Sequence, residues 1–311
     1  MTPVLAASEV TAGYRGTPIL HAVDLELEQG RTVGLVGESG SGKSTLARTL
    51  IGLLRPQSGR ILLDGADVTA LRGPQLRALR RRIQLIPQDP YASLNPRMTV
   101  GETLAEAIDP RRGGARRHAD AVARWLETVA LDAAAAARFP HEFSGGQRQR
   151  IAIARALAVE PEVIIADEVT SALDSSVQAE VLNLLADLRR RLGLTMLFIS
   201  HDLTVVRHVS DAVAVMYLGR VVELAARDEL FERPQHPYTR LLLDSVPDGS
   251  EVRAPQIVAE PPDPRSPPPG CAFHTRCAVH HGLGDDGARC RTEGPLLAGG
   301  VACHHPLRIA S

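Results

Sequence analysis

Gly37-Glu38-Ser39-Gly40-Ser41-Gly42-Lys43-Ser44-Thr45 is the stretch from which the architecture of this chain can be worked out. From Gly37 to Ser44 it fits the phosphate-loop pattern G-x-x-x-x-G-K-[ST]. The run before it, Arg31 to Val36, is apolar and short, which predicts a buried strand. The run after it, Leu46 to Ile51, has helical spacing. Strand, glycine loop and helix form the context the pattern needs. Glycines let backbone N–H groups wrap a phosphate that a Cβ would hold off. The helix N-terminus adds unpaired donors and the positive end of its dipole. Lys43 is placed to reach the β- and γ-phosphates of a nucleotide, and the Ser44 hydroxyl to bind Mg2+. Among 35 basic residues Lys43 is the only lysine; every other one is arginine. The exception stands where a compact ammonium fits and a wide guanidinium does not.

The chain has 311 residues, room for one large domain or two smaller ones. Apolar residues make up 44% but aromatics only 3%, so Ala, Val, Leu and Ile must build the core. That suits an α/β protein with buried parallel strands. A formal net charge of −1 provides no electrostatic reason to expect nucleic acid. The start, Thr2 to Glu9, lacks the basic and long apolar parts of a signal peptide. No apolar run approaches the roughly 18 residues of a membrane helix. These features predict a soluble, cytosolic chain.

Outward from the loop, residues 4 to 30 predict two strands joined by a turn at Arg15-Gly16, with Tyr14 poised to stack on a nucleotide base. Gly59 to Gly65 predicts a strand and turn. Leu71 to Arg82 predicts a basic helix whose Arg77, Arg80, Arg81 and Arg82 form a solvated face. Ile83 to Ile86 predicts a buried strand, followed by Gln88, which can reach Mg2+ and an attacking water. Residues 99 to 139 predict helices. Phe143-Ser144-Gly145-Gly146-Gln147 precedes a helix expected over 148–158, a second anion-binding arrangement. Val163 to Ala166 predicts a central parallel strand ending in Asp167-Glu168. Paired carboxylates there divide the work: the first holds Mg2+ and the second orients or deprotonates water. Ser171 to Asp174 is a loop before a helix expected over 176–191. Thr195 to Ser200 predicts the next strand, ending at His201, whose imidazole can bond a γ-phosphate. Two further strands, 212–217 and 219–223, and two short helices, 228–233 and 238–246, complete the first part.

From Asp248 the composition changes. Pro255, Pro261, Pro262, Pro264 and Pro267 to Pro269 predict a stiff linker. Cys271, Cys277, Cys290 and Cys303 follow, and the chain has no other cysteine. In a cytosolic protein such a group predicts metal binding rather than disulfides. The spacing x5, x12, x12 does not match the paired C-x2-C of common zinc sites. Four thiolates suit either Zn2+ or a four-iron four-sulfur (4Fe-4S) cluster. His274, His280 and His281 are expected to face solvent.

Together these motifs resemble the ATP-binding-cassette (ABC) ATPase subunits over about residues 5 to 245. Tyr14, the Gly37–Ser44 loop, Gln88, the Phe143–Gln147 signature, Asp167-Glu168 and His201 stand in the family's order. The stretches Gln88 to Pro96, His141 to Arg150 and Gln235 to Thr239 look like the oligopeptide/dipeptide (and nickel) importer branch, as do the proline linker and cysteine tail. The run from Gln88 to Val100 looks most like the second, F-type ATPase of that branch. The resemblance implies a P-loop NTPase (RecA-like) core over residues 1–246, with an antiparallel β subdomain and a helical signature subdomain at about 91–158. Residues 247–311 would be the branch's C-terminal extension.

The implied activity is ATP hydrolysis with Mg2+, driving peptide import. Glu168, His201 and Gln88 are the implied catalytic residues. Tyr14, Gly37 to Thr45, Ser144 to Gln147 and Asp174 are the implied nucleotide contacts. Ser44, Gln88 and Asp167 are the implied Mg2+ ligands. The resemblance favours 4Fe-4S at the four cysteines over zinc and over no metal at all. The implied partners are a second ABC ATPase subunit (sister or identical), two integral-membrane permease subunits and an extracytoplasmic solute-binding protein. The implied location is the cytoplasmic face of the cell membrane.

Three positions depart from the family pattern. Val169 follows the glutamate where proline is usual, Pro87 precedes Gln88 where an aromatic is usual, and Phe143 replaces leucine. They bear on turn rigidity and rate, since no polar site group is lost. Nickel or another small solute is the alternative cargo. A soluble ABC ATPase acting on DNA or ribosomes is the alternative of another class, but those carry two cassettes or a coiled-coil insert, and this chain has neither. A binding protein that no longer hydrolyses is opposed by the intact Asp167, Glu168 and His201.

Overall fold

The computed structural model describes residues 3–111, 114–171, 173–245 and 262–307. The expected linker prolines Pro255 and Pro261, the composition change at Asp248, and Ala172 of the 171–174 loop lie outside those residues. The chain divides into two compact units, residues 1–70 with 198–311, and residues 71–197.

In the first unit, Leu5–Tyr14 and Thr17–Leu27 pair antiparallel through the expected tight turn. Arg15 and Gly16 both have positive φ there, the backbone a two-residue hairpin needs. The second strand begins at Thr17 rather than at His21, because Thr17, Pro18 and Leu20 pair with Tyr14, Gly13 and Ala12. Cross-strand pairing extends the strand beyond the part that alternates in sequence. Ser58–Leu63 and Ala66–Asp67 complete a four-stranded antiparallel sheet.

Thr32–Val36 is buried at every position and pairs in parallel with Ala212–Tyr217, Val33 opposite Ala212 and Val36 opposite Val215. A parallel strand covered on both faces reads as a continuous apolar run, as this one does. Arg220–Ala226 adds antiparallel to Ala212–Tyr217. The segment expected to be a tail is docked on that strand. Leu224 N–H donates to the Gly300 carbonyl at 2.8 Å and Ala302 N–H to the Val222 carbonyl at 2.8 Å. Between them the Glu223 carboxylate, buried, accepts from the N–H groups of Gln235 and His236 at 2.8 and 2.9 Å. A buried carboxylate persists where such donors satisfy it.

In the second unit, Ile83–Ile86 and Val163–Asp167 are parallel neighbours. Helices Gly73–Arg82, Val100–Ile108, Ala119–Thr128, Gly145–Leu157 and Ser175–Leu192 surround them in sequence. Helix Gly145–Leu157 starts earlier than the glycine pair predicts. Ser144 accepts from Gln147 N–H, and Gln147 returns a bond to Ser144 N–H, a complete capping box. That cap is worth ~1 kcal/mol, enough to offset the propensity loss of one glycine. Helix Ser175–Leu192 ends at Gly193 in the left-handed conformation, a glycine stop. Among the described residues no helix is long and apolar enough to cross a membrane.

Candidate functional site

The phosphate loop leaves the buried strand Thr32–Val36 and enters helix Lys43–Leu50 through Gly42, whose φ is +105°. A Cβ at Gly37 would lie 2.1 Å from the Met216 carbonyl oxygen, so only glycine fits the loop's first position. Lys43 is buried and its ammonium donates to the carbonyls of Gly37 and Glu38 at 2.8 and 2.9 Å, and to Ser41 Oγ at 3.4 Å. The loop is thus wrapped around the lysine head. Ser44 and Thr45 sit in the first helical turn. Tyr14 is exposed, and its hydroxyl accepts from Arg48 at 3.2 Å. His201 lies just past strand Thr195–Ile199 and is exposed. The next residue, Asp202, caps helix Leu203–Val209 by accepting from Thr204 and Val205.

Glu38 is held by residues far along the chain: Tyr238, within the Gln235–Thr239 stretch, and Arg276, which no sequence motif singled out. Its N–H donates to the Tyr238 hydroxyl at 3.0 Å. Its carboxylate takes both arms of the Arg276 guanidinium, at 2.9 and 3.0 Å. Nothing local in the sequence announces a pair 238 residues apart.

In the 71–197 unit, Gln88 and Glu168 meet. Gln88 Nε2 donates to Glu168 Oε2 at 2.8 Å and lies 3.4 Å from Ser171 Oγ. Asp167 is buried at the end of its strand, while Glu168 turns out of it with φ of +49°. A non-glycine residue in that region is uncommon and costs roughly 1–3 kcal/mol, and such strain gathers at functional sites. The following Val169 is buried. Asp174 stands at the N-cap of helix Ser175–Leu192, with no side-chain cap bond. In the signature, a Cβ at Gly146 would lie 2.3 Å from Val177 Cγ1, so the helix start packs where only glycine is accommodated. Gly145 has no such constraint. Arg77 and Arg81 are exposed and Arg80 half-buried, in line with the expected solvated face, and the three border an open cleft with Leu85, Ile108 and Arg155. Arg82 pairs with Glu162 at 2.6 Å.

Comparison with known proteins agrees with these motifs. Residues 20–171 match the ABC transporter family model, and residues 222–282 match the oligopeptide/dipeptide transporter C-terminal region. The chain is 51% identical over 264 residues to the oligopeptide transport ATP-binding protein AppF of Bacillus subtilis, covering 83% of this chain and 80% of that one. It is 45% identical over 324 residues to the di/tripeptide transport ATP-binding protein DppF of Pseudomonas aeruginosa, covering 98% of each. The chain belongs to the ABC transporter ATP-binding proteins. Solved members share the fold. CbiO1 of Clostridium perfringens superposes with a TM-score of 0.66 at 30% identity, covering 75% of this chain and 93% of that one. The ATP-binding cassette MJ0796 bound to ADP and phosphate superposes with 0.65 at 30% identity, covering 72% and 98%. The expected P-loop NTPase fold and ATPase activity are therefore those of this ABC protein.

The four cysteines of this ABC ATPase are free thiols lining one small cavity with Phe273, His236 and His280. Burial pushes the Cys271 thiol up to about 11 and the Cys303 thiol up to about 12. His280, expected to face solvent, is buried: it packs against Gly287, and its Nδ1 has no hydrogen-bond partner. Its N–H donates to Cys277 Sγ at 3.5 Å. The short helix Ala278–Gly282 turns one of two adjacent histidines inward and leaves His281 exposed. His274 is half-buried. Among the described residues no three or more His, Cys, Asp or Glu stand in ligand positions around one point, so the thiols share a cavity without a preset metal geometry.

His236 caps helix Pro237–Asp244, its Nδ1 accepting from Tyr238 N–H at 3.0 Å. Complete burial lowers its pKa from 6.5 to about 3. Between those values the unfolded chain takes up a proton that the folded chain refuses, so stability falls as pH drops through that window. His236→Asn keeps a capping acceptor and removes the titration. Its melting temperature is expected to fall less steeply than that of the wild type as the pH is lowered below 6.5. Equal slopes would show that His236 is not the acid-sensitive group.

Proposed function

We propose that this ATPase powers import of di- and oligopeptides as a peripheral protein on the cytoplasmic face of the cell membrane. The supporting observation is that residues 222–282, which match the oligopeptide/dipeptide transporter C-terminal region, share a unit with the phosphate loop. The names of AppF and DppF, proteins of oligopeptide and di/tripeptide transport, support the cargo class. In this reading the partners are a second ABC ATPase subunit, two permease subunits and an extracytoplasmic solute-binding protein. The cleft bordered by Arg77, Arg81, Leu85 and Ile108 would receive a cytoplasmic segment of a permease.

Two cassettes would close face to face on ATP. Tyr14 stacks on the adenine. Lys43, the amides of Gly37 to Gly42 and the side chains of Ser44 and Thr45 hold the phosphates. Ser144, Gly145, Gly146 and Gln147 of the facing cassette cap the γ-phosphate, where the capped helix start offers N–H donors. Asp174 follows the paired carboxylates Asp167 and Glu168 and borders the nucleotide. Ser44, Gln88 and Asp167 supply the oxygen donors that suit Mg2+, and the ion would neutralise phosphate charge. Glu168, oriented by Gln88, takes a proton from the attacking water, and His201 bonds the γ-phosphate. Phosphoryl transfer needs positioning and charge stabilisation more than covalent help.

A mild-detergent pull-down of the chain from its own cells, read by mass spectrometry, tests the assembly. Two multi-span membrane proteins and a second cassette are expected. Ribosomal or DNA-bound companions would overturn the transport reading. For the cysteines, the resemblance ranks a bound 4Fe-4S cluster ahead of zinc; what speaks for it is that four thiols line one cavity, and what speaks against it is that they are not gathered around one point. Such a group would cross-link Cys271, Cys277, Cys290 and Cys303. Brown protein from an anaerobic preparation, with iron and sulfide in equal amounts, is the expected result. Colourless protein with stoichiometric zinc would reverse the order, and metal-free protein would remove both.

A further inference from the structure

Glu38 is the second residue of the phosphate loop, and it is fixed at three points. Its carbonyl accepts from Lys43, its N–H donates to Tyr238, and its carboxylate takes the fork of Arg276. The first tie is internal to the loop. The other two come from beyond residue 236. Arg276 is not a surface partner: its side chain is 4% exposed, against 31% for Glu38. The guanidinium carbon lies 5.7 Å from the centre of the Tyr217 ring and 5.9 Å from that of Phe273. Tyr217, Tyr238 and Phe273 pack on one another with centroids 4.5 to 5.3 Å apart. Phe273 also lines the cysteine cavity, and Arg276 is the residue before Cys277. Pro264, nearer the start of the same segment, lies beside the loop: a Cβ placed on Gly40 would stand 3.8 Å from Pro264 Cγ.

We propose that Arg276 is a positioning residue for the phosphate loop, through which the C-terminal cysteine segment sets the affinity for ATP. A glycine-rich loop has many conformations to lose when it closes on a phosphate. Pinning one of its residues in advance lowers that cost and shows as tighter binding. Arg276 suits the task because its planar fork fixes both carboxylate oxygens at once, whereas a lysine would reach them as a point charge. The pair joins the loop to the segment that carries all four cysteines. Any change that loosens the segment around residues 271–277 is then felt at Glu38. Arg276 donates to Glu38 and not to the phosphates, so its loss acts on nucleotide binding and leaves the chemical step alone. The proposal rests on the chain's ATPase activity and is independent of cargo and of any metal at the cysteines.

The test is steady-state ATP hydrolysis by full-length Arg276→Met, Arg276→Lys, Glu38→Gln and the double variant Glu38→Gln/Arg276→Met, each with its melting temperature. Arg276→Met is expected to raise KM for ATP about tenfold, equivalent to about 1.4 kcal/mol, with kcat within about twofold of wild type. Arg276→Lys is expected to recover part of that loss. The double variant is expected to resemble Arg276→Met rather than add a second loss, because both changes cut one interaction. It also leaves no buried unpaired charge, so it keeps the test open if Arg276→Met does not fold. An unchanged KM in the soluble variants overturns the proposal. So does a fall in kcat at constant KM, or a KM that follows melting temperature across the set irrespective of the residue changed. An active wild type with no KM effect would refute the positioning role while leaving the transport reading untouched.

Discussion

Glu168→Gln is expected to bind ATP as well as the wild type and to lose at least about a hundredfold in turnover, the low end of what general-base catalysis contributes. The substitution keeps the shape of the side chain and its place beside Gln88, 2.8 Å away in the wild type. It removes the basic oxygen pair that would take a proton from water. The left-handed backbone at Glu168, φ +49°, aims that carboxylate out of its strand, and the amide inherits the same aim. Nucleotide binding measured by equilibrium dialysis should be unaltered while phosphate release stops. Turnover close to wild type would sink the role assigned to Glu168 and leave the positioning of water to Gln88 and His201. The companion variant Gln88→Ala frees the carboxylate from its amide and is expected to lower kcat more mildly, since it removes orientation and not the base.

Lys43→Met should fail at the earlier step. The Lys43 ammonium is buried and already donates to Gly37, Glu38 and Ser41. Those bonds hold the loop in its wrapped form, and in the proposed site the same charge would meet the phosphates. Hydrogen bonds to charged groups are worth about 1.5–3 kcal/mol, so the affinity for ATP is expected to fall by roughly tenfold to a hundredfold. Lys43→Arg should not rescue it, because the planar fork is wider than the space between those carbonyls. ATP affinity within twofold of wild type in either variant would remove Lys43 from the phosphate site. The sequence has no other lysine, so ATP protection of the Lys43 amine from acylation gives an independent readout.

These two predictions rest on residues visible in the sequence, and the reason is local. A phosphate loop, a capping box and a pair of acids at a strand end are made by neighbours a few residues apart. The backbone at Ser144 follows from Gln147 within the same turn, whereas the glycines at 37 and 42 are also required by Met216, far along the chain. Boundaries moved where pairing or capping overrode pattern, as at Thr17 and Gly145. The arginines of helix Gly73–Arg82 are largely exposed, as a charge run predicts, but a charge run shows no sign of the cleft that other elements build beside it.

The sequence by itself determined the α/β class and the identity of the loop, because each depends on short-range spacing, and the order of its motifs carried the resemblance to the ABC ATPases. Only the tertiary structure decided that the C-terminal segment is docked, that its four thiols face one cavity with His280 turned inward, and that Arg276 clamps Glu38. Those contacts join residues up to 238 positions apart. They form because burial and charge pairing are satisfied in space, and no periodicity along the chain records which distant residue will supply the partner.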